Sequence, residues 1–203
     1  MIRRALILCA VLPPLVALAQ QPEAPRRYPF VDPAKAVEAT ALVDALRKGG
    51  LVLYVRHAQQ GGLQEEAPPC TARNLVAAGE AQAKALGEAL HRLAIPIGTV
   101  RSSPYCRAIE TTRLLGFGDP QIDAGLRLGA PDTPEIHAAR AKVLAQAPAP
   151  GSNTLLVSHG HASALEAERM QLDLAEVIVY RPDGRGGAEP IARMRLQDWE
   201  GLR

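Results

Sequence analysis

The sequence lacks a concentration of charge of either sign. Its 203 residues include 23 Lys and Arg and 21 Asp and Glu, which gives a formal net charge of +2 at pH 7. The basic residues are scattered among acidic ones, so the chain has no polybasic tail and no basic stripe of the kind that binds nucleic acid. It also has no internal repeat. Its length predicts one ordinary domain with its own apolar core.

A long apolar span is also missing. The apolar stretch Ala5 to Leu18 is shorter than the roughly 20 residues that a membrane-spanning helix needs, and Pro13-Pro14 interrupts it. Arg3 and Arg4 precede this stretch, and Ala17-Leu18-Ala19 ends it in the small-x-small form of a signal-peptide cleavage site. We therefore expect residues 1–19 to be a cleaved signal peptide and the mature chain to be periplasmic or secreted. The alternative is an uncleaved membrane anchor.

Cysteine is scarce, with three in the whole chain. Cys9 lies in the predicted signal peptide, so Cys70 and Cys106 remain in the mature protein. An oxidising compartment would allow these two to form a disulfide. The alternative is two separate buried thiols, because cysteine is often a small core residue.

Helical and strand patterns alternate after a proline-rich leader. Residues 20–33 contain four prolines and no apolar period, so the folded domain is predicted to span residues 34–203. The predicted strands are 51–55, 97–101 and 154–157, and the predicted helices are 36–47, 76–93, about 104–115 and 162–170. Ser102-Ser103 would cap the third of these helices. A closing hairpin is predicted from 176–180 and 191–196. This order predicts an α/β fold, a three-layer α/β/α sandwich with a mostly parallel central sheet.

Polar residues with related chemistry follow three of the predicted strands. Arg56-His57 follows the first strand, Ser102-Ser103 with Arg107 follows the second, and Ser158-His159 follows the third. The carboxyl ends of parallel strands share one crevice, so we expect these side chains to lie close together. The planar donor fork of arginine suits the oxygens of a phosphate ester.

The same residues suggest a chemical step. Arg107 is predicted in the first turn of a helix opened by Ser102-Ser103-Pro104, where backbone N–H groups and the helix dipole also favour an anion. A neutral imidazole can attack phosphorus, and neighbouring arginines would keep His57 neutral. His159 would complete the phosphate cradle as a donor or as a cation. Each residue taken alone also has a structural explanation, as a hydrogen-bonded histidine or a solvated arginine.

Four segments together resemble the histidine phosphatase superfamily, the phosphoglycerate-mutase-like group. The segments occur in the family's order and spacing. They are Tyr54-Val55-Arg56-His57-Ala58, Leu75 to Gly79 with Gln82-Ala83, Ser102 to Thr112, and Leu155-Leu156-Val157-Ser158-His159-Gly160. The resemblance covers roughly Leu51 to the end of the chain. It implies the fold proposed above, a phosphorylated nucleophile at His57, and a phosphoryl group bound by Arg56, Arg107 and His159 without a metal or other cofactor.

One expected residue of the resemblance is absent. Many members have a glutamate in a Leu-x-Glu context as general acid, where this chain reads Leu126-Arg127-Leu128. Asp132 and Glu135 follow in a proline-punctuated segment and could protonate the leaving oxygen. The alternative for them is a turn aspartate and a helix-start glutamate.

Several other residues near the motifs have open roles. Glu110 could be an acid or an ion-pair partner of Arg107, and His161 could cap a helix or line the pocket. Arg73 could join the phosphate site or be a surface residue. A disulfide between Cys70 and Cys106 would hold two loops of the presumed site together.

We expect hydrolysis of a small phosphomonoester by an exported enzyme. The nearest alternatives are a phosphomutase and a phosphate- or phosphosugar-binding protein without turnover. Export argues against a mutase that depends on a cytosolic phosphorylated primer. The natural substrate and the oligomeric state cannot be derived from the sequence.

Overall fold

The computed structural model describes residues 37–62, 68–72, 74–127, 133–160 and 172–203. The predicted signal peptide, the leader, the predicted helix 162–170, and residues Arg73, Asp132 and His161 lie outside these ranges. Within them the chain forms four α-helices and six strands. In chain order these are α1 (Ala39–Lys48), β1 (Val52–Arg56), α2 (Ala77–Arg92), β2 (Ile97–Ser102), α3 (Cys106–Leu114), β3 (Gln121–Ile122), α4 (Pro134–Leu144), β4 (Asn153–Ser158), β5 (Val177–Pro182) and β6 (Ala188–Met194).

The six strands form one sheet in the order β3-β2-β4-β1-β5-β6. Strands β3, β2, β4 and β1 are parallel, whereas β5 pairs antiparallel with both β1 and β6. The predicted closing hairpin is therefore present, as β5 and β6.

Helices cover both faces of the sheet. Leu53 and Val55 of β1 pack in a core cluster with residues of α1, α2 and α3. Val52 and Tyr54 of the same strand belong to a second cluster, which contains Val143 and Leu144 of α4. Alternate residues of β1 thus face opposite helical layers, and the predicted three-layer α/β/α sandwich is confirmed.

A buried asparagine aligns the starts of the central strands. Asn153, the first residue of β4, accepts a hydrogen bond from the Leu51 backbone N–H (3.1 Å) and donates to the carbonyls of Leu46 (2.7 Å) and Pro96 (2.9 Å). These contacts join the end of α1 to the segments that enter β1, β2 and β4. The register that follows pairs Arg56 with Ser158 and Ser102 with Val157, so the three strands end side by side.

The prediction for the start of α3 is wrong. The helix begins at Cys106 with Tyr105 at the N-cap position, and no side chain caps it. Ser102 is the last residue of β2, and the Ser103 hydroxyl lies 2.8 Å from His159 Nε2. Ser102 therefore belongs to β2 and Ser103 contacts the site, and neither serine caps α3. Arg107 still lies in the first turn of α3, as expected.

Helix α4 is an element that the sequence analysis did not predict. Its N-cap is Thr133, whose hydroxyl accepts a hydrogen bond from the Ile136 N–H (3.5 Å), and Pro134 begins the helix. Glu135 thus lies in a helical first turn, as in the helix-start alternative considered for it. Across the described ranges, none of the helices has both the length and the apolar character needed to span a membrane.

Candidate functional site

Four predicted site residues meet at the carboxyl ends of β1, β2 and β4. His57 follows β1 and His159 follows β4, and their ring centroids lie 5.4 Å apart. Arg107, in the first turn of α3, reaches both rings. Arg56, the last residue of β1, is half-buried, whereas the other three are buried. The structure therefore brings together the histidines and Arg107 that the sequence placed at strand ends, with Arg56 adjacent in the chain.

One ring nitrogen of His57 carries no proton and offers its lone pair. Its Nδ1 lies 2.8 Å from the Ala58 carbonyl oxygen, which can only accept, so Nδ1 carries the proton. The Nε2 atom then accepts a hydrogen bond from Arg107 Nε at 3.2 Å. The pKa of His57 is lowered to about 4, mainly by burial; the Ala58 carbonyl opposes this, and the charges of Arg107 and Arg56 add to the lowering. His57 is neutral at physiological pH, and burial contributes more to this than the arginines do.

His159 is held in a matching tautomer. Arg107 Nη2 lies 3.4 Å from Nδ1, so Nδ1 accepts and the Nε2–H donates to the Ser103 hydroxyl at 2.8 Å. Burial lowers the pKa of His159 to about 2, and the charge of Arg107 is the next cause. In the free site His159 is therefore neutral and its one N–H is used by Ser103, and its two predicted roles toward a phosphate, donor and cation, stay predictions.

Tyr105 supports Arg107 from the side. The Arg107 guanidinium carbon lies 4.3 Å from the centroid of the Tyr105 ring, and the same ring meets His159 edge-on at 5.0 Å. A cation over an aromatic face is attracted by the ring quadrupole. Tyr105 therefore orients two site residues, a role that the sequence analysis did not assign to it.

Arg56 is held at the rim by the segment that precedes β5. Its backbone N–H donates to the Glu176 carbonyl (3.0 Å), and its Nη1 donates to the Leu172 carbonyl. Burial lowers the pKa of Arg56, and the charges of Asp173 and Glu176 oppose this. Its Nε is buried without a hydrogen-bond partner in the part of the chain that the structure describes. A phosphoryl oxygen would satisfy such a donor.

The loop after His57 is fixed by α2 and α3. The Ala58 N–H donates to the Thr111 hydroxyl (3.0 Å), which itself donates to the Arg107 carbonyl (2.7 Å). On the other side, Gly79 of α2 packs so closely on the Gln59 backbone that a Cβ atom at position 79 would collide with the Gln59 carbonyl. The glycine of the second motif thus allows α2 to approach the loop that carries the nucleophile candidate.

The cysteines form the predicted disulfide. Cys70 and Cys106 are bonded, and Cys106 is the first residue of α3, directly before Arg107. Glu110 has a related structural role, because its carboxylate accepts hydrogen bonds from the N–H groups of Asn74 (2.8 Å) and Leu75 (3.2 Å). Of the two roles left open for Glu110, neither matches these contacts, which fix the loop beside α3.

Of the two candidate acids, only Glu135 belongs to the described residues, because Asp132 lies outside them. Glu135 is exposed, and a hydrogen bond from the Thr133 side chain lowers its pKa. A lowered pKa makes Glu135 a weaker proton donor at neutral pH. Within the described ranges, no three His, Cys, Asp or Glu side chains are grouped in a way that could hold a metal ion.

Comparison with known proteins points to one family. Residues 52–127 match the model of the histidine phosphatase superfamily, branch 1. This match includes the segments of His57 and Arg107. No curated protein sequence matches the chain significantly.

Several solved structures share the fold. The protein histidine phosphatase SixA, solved with tungstate, is 16% identical over 74% of this chain and 99% of its own, with a TM-score of 0.55. A candidate α-ribazole-5′-P phosphatase from Escherichia coli K-12 is 17% identical over 73% of this chain and 98% of its own, with a TM-score of 0.54. A phosphoserine phosphatase from Entamoeba histolytica, solved with 3-phosphoglyceric acid, is 15% identical over 73% and 98%, with a TM-score of 0.51.

The family match covers the first three motif segments, and the fold places the fourth, with His159, against them. Because these sequence identities are low, the solved structures support the fold alone. This fold is the one that the resemblance of the motifs implies. The chain thus resembles the histidine phosphatase superfamily, whose model it matches over residues 52–127.

Proposed function

We propose that the chain is an exported phosphatase that hydrolyses a phosphomonoester through a phosphohistidine on His57. One observation carries the proposal: His57 is neutral, its Nδ1 proton is engaged by Ala58, and its Nε2 lone pair is hydrogen-bonded to Arg107. The folded domain in this proposal spans residues 34–203. Export is supported by the signal-like residues 1–19 and by the disulfide, since disulfides persist in oxidising compartments.

In the first step His57 Nε2 attacks phosphorus. The new N–P bond forms as the bond from phosphorus to the leaving oxygen breaks, and that oxygen takes the electron pair and a proton. The imidazole ring becomes positive, because Nδ1 keeps its proton. The Ala58 carbonyl, 2.8 Å from Nδ1, stabilises this charge.

The cations of the site stabilise the phosphoryl group during transfer. Arg107 loses its contact with Nε2 as phosphorus approaches, so its donors turn to the phosphoryl oxygens together with those of Arg56. The one N–H of neutral His159 is used by Ser103, so His159 donates to a phosphoryl oxygen after Nδ1 takes up a proton, and a bound dianion favours that protonated form. Apart from that turn of Arg107, these groups lie beside His57 before substrate binds, and the burial of Arg107 and both histidines strengthens their stabilisation of the developing charge.

Water completes the cycle. It attacks the phosphorus of phosphohistidine on the side opposite the N–P bond and gives up one proton to the group that protonated the leaving oxygen. The N–P electron pair returns to Nε2 of His57. Inorganic phosphate leaves and the neutral imidazole is restored.

Trapping the phosphoenzyme tests this function. Mature protein mixed with radiolabelled p-nitrophenyl phosphate and quenched in denaturing alkali should carry a label on His57, because phosphohistidine is stable to alkali and labile to acid. Product release should show a burst of about one equivalent per chain. Saturable phosphate binding without label or turnover would establish the binding-protein alternative. Label that passes to an added sugar acid and not to water would establish a mutase.

The general acid gives a second prediction. Asp132→Asn should lower kcat/KM for ethyl phosphate by about 100-fold, because an alkoxide leaves poorly without a proton. The same change should alter kcat/KM for p-nitrophenyl phosphate by less than about threefold, since nitrophenolate needs no acid.

Glu135→Gln is the matched control. It removes an exposed carboxyl whose pKa is lowered, and it should leave both rates unchanged. Steady-state kinetics on both substrates measures the effect. A selective loss on ethyl phosphate in Glu135→Gln, with Asp132→Asn unaffected, would reverse the assignment.

A further inference from the structure

Arg127 is a cation beside the site that the proposed mechanism does not use. It follows a short 3₁₀ helix, Ala124–Leu126, and its side chain is exposed. Its guanidinium carbon lies 5.8 Å from the centroid of the Tyr105 ring. Among the described residues the Arg127 side chain has no ion pair and no hydrogen bond.

The backbone beneath Arg127 is well anchored. The Ser158 hydroxyl donates to the Leu126 carbonyl at 2.6 Å, and Ser158 is the residue before His159. Arg127 donates its N–H to the Ala124 carbonyl (3.1 Å) and accepts at its own carbonyl from Arg140 Nη2 (3.5 Å). The position of Arg127 relative to the site is thus fixed at its backbone, while its exposed guanidinium can reorient.

Tyr105 links Arg127 to the phosphate cradle. The guanidinium carbons of Arg107 and Arg127 both lie within 5.8 Å of the same Tyr105 centroid. Arg107 touches His57 and His159, so Arg127 is one aromatic ring away from the reacting atoms. A short substrate can therefore reach both arginines.

The local charges leave Arg127 available for an anion. Among the described acidic residues, the nearest in sequence is Asp123, and it is engaged by Arg101 at 3.2 Å. Arg140, which is 1% exposed, adds a further positive charge under the Arg127 backbone. An arginine offers a bidentate fork that matches a carboxylate or a phosphoryl group.

We propose that Arg127 binds a second anionic group of the substrate. The preferred substrates then carry a phosphate ester and, a short distance away, a carboxylate or a second phosphate. This inference rests on the proposed function, because it assumes that the first phosphoryl group occupies the His57 cradle. Arg127 is a specificity-determining residue in this scheme, and it takes no part in the transfer.

Three phosphonates test the proposal without any turnover. Benzylphosphonate has one anionic group, and 4-(phosphonomethyl)benzoate and its 3-isomer add a carboxylate at two distances. Calorimetric titration should show that the mature protein binds at least one of the carboxylates about 10-fold more tightly than benzylphosphonate, the effect of one charge-assisted hydrogen bond. Arg127→Gln should remove this preference and leave the Kd of benzylphosphonate within about twofold.

Arg113→Gln is the matched control for net charge. Arg113 is an exposed arginine of α3 paired with Asp119, and its loss should leave the preference intact. Two results would overturn the proposal: an equal loss of affinity for all three ligands in Arg127→Gln, which would assign Arg127 to the phosphoryl cradle, or no preference for either carboxylate in the wild type. The absence of a phosphoenzyme would refute the proposed function and leave this binding test intact.

Discussion

His57→Ala should lower kcat for p-nitrophenyl phosphate by at least about 10⁴-fold, because it removes the nucleophile that divides the reaction into two easier steps. The substrate has a good leaving group, so the loss cannot be attributed to protonation of that group. What remains is direct attack by water in a cradle that still contains Arg56, Arg107 and His159. Stopped-flow and steady-state assays at pH 7 measure the effect.

The control is a second histidine of the same chain. His91 lies on α2 and stacks on Phe117 with a centroid distance of 4.1 Å, away from the cradle residues. His91→Ala should leave kcat within about twofold, as expected for a residue that does not touch the reacting groups. His57→Ala should also keep its affinity for inorganic phosphate within about 10-fold, since the arginine donors remain. A His57→Ala protein that still turns over at more than a tenth of the wild-type rate would refute the phosphohistidine mechanism.

The strand ends were predictable from the sequence for a simple reason. Strands β1 and β4 are buried on both faces, so each reads as a continuous apolar run, and the first polar residues after it mark its end. That rule located Arg56-His57 and Ser158-His159. It also gave the parallel order, because each strand is separated from the next by a helical pattern.

The contacts between these residues could not be predicted in the same way. The hydrogen bond from Arg107 Nε to His57 Nε2 and the burial that lowers both histidine pKa values depend on three segments that are far apart in sequence. The role of Glu110 was missed for the same reason, because its partners are backbone N–H groups of another loop. Local pattern contains no information on these contacts.

Helix α4 was missed although it has a local start signal. Thr133 followed by Pro134 is a cap residue with a first-turn proline, but the sequence analysis gave a helix start near Glu135 only as an alternative. The helix buries few residues, and one of them is Arg140, so its apolar period is weak. The sequence analysis named Arg127 only as the middle residue of Leu126-Arg127-Leu128, where the glutamate of the family motif is absent. Its position beside Tyr105 follows from the fold alone.

Arg193→Met should lower the free energy of unfolding by about 3–5 kcal/mol, because it leaves a buried carboxylate without its partner. Glu176 is 1% exposed, and its two oxygens accept from Arg193 Nε and Nη2, each at 2.7 Å. The Glu176 carbonyl accepts from the Arg56 N–H, so this ion pair of the β5–β6 hairpin also supports the end of β1. Urea unfolding of the mature protein at pH 7 measures the change.

Removing the charge of Glu176 separates a lost charge partner from lost packing. In Arg193→Met the buried Glu176 carboxylate lacks its counter-ion, and an uncompensated buried charge is strongly destabilising. Adding Glu176→Gln should therefore restore part of the stability at pH 7, since no buried charge remains. Arg113→Met, which breaks the exposed pair with Asp119, should cost no more than about 1 kcal/mol. A deficit in Arg193→Met that is not reduced by Glu176→Gln would mean that Arg193 stabilises the hairpin by packing, and that its charge contributes little.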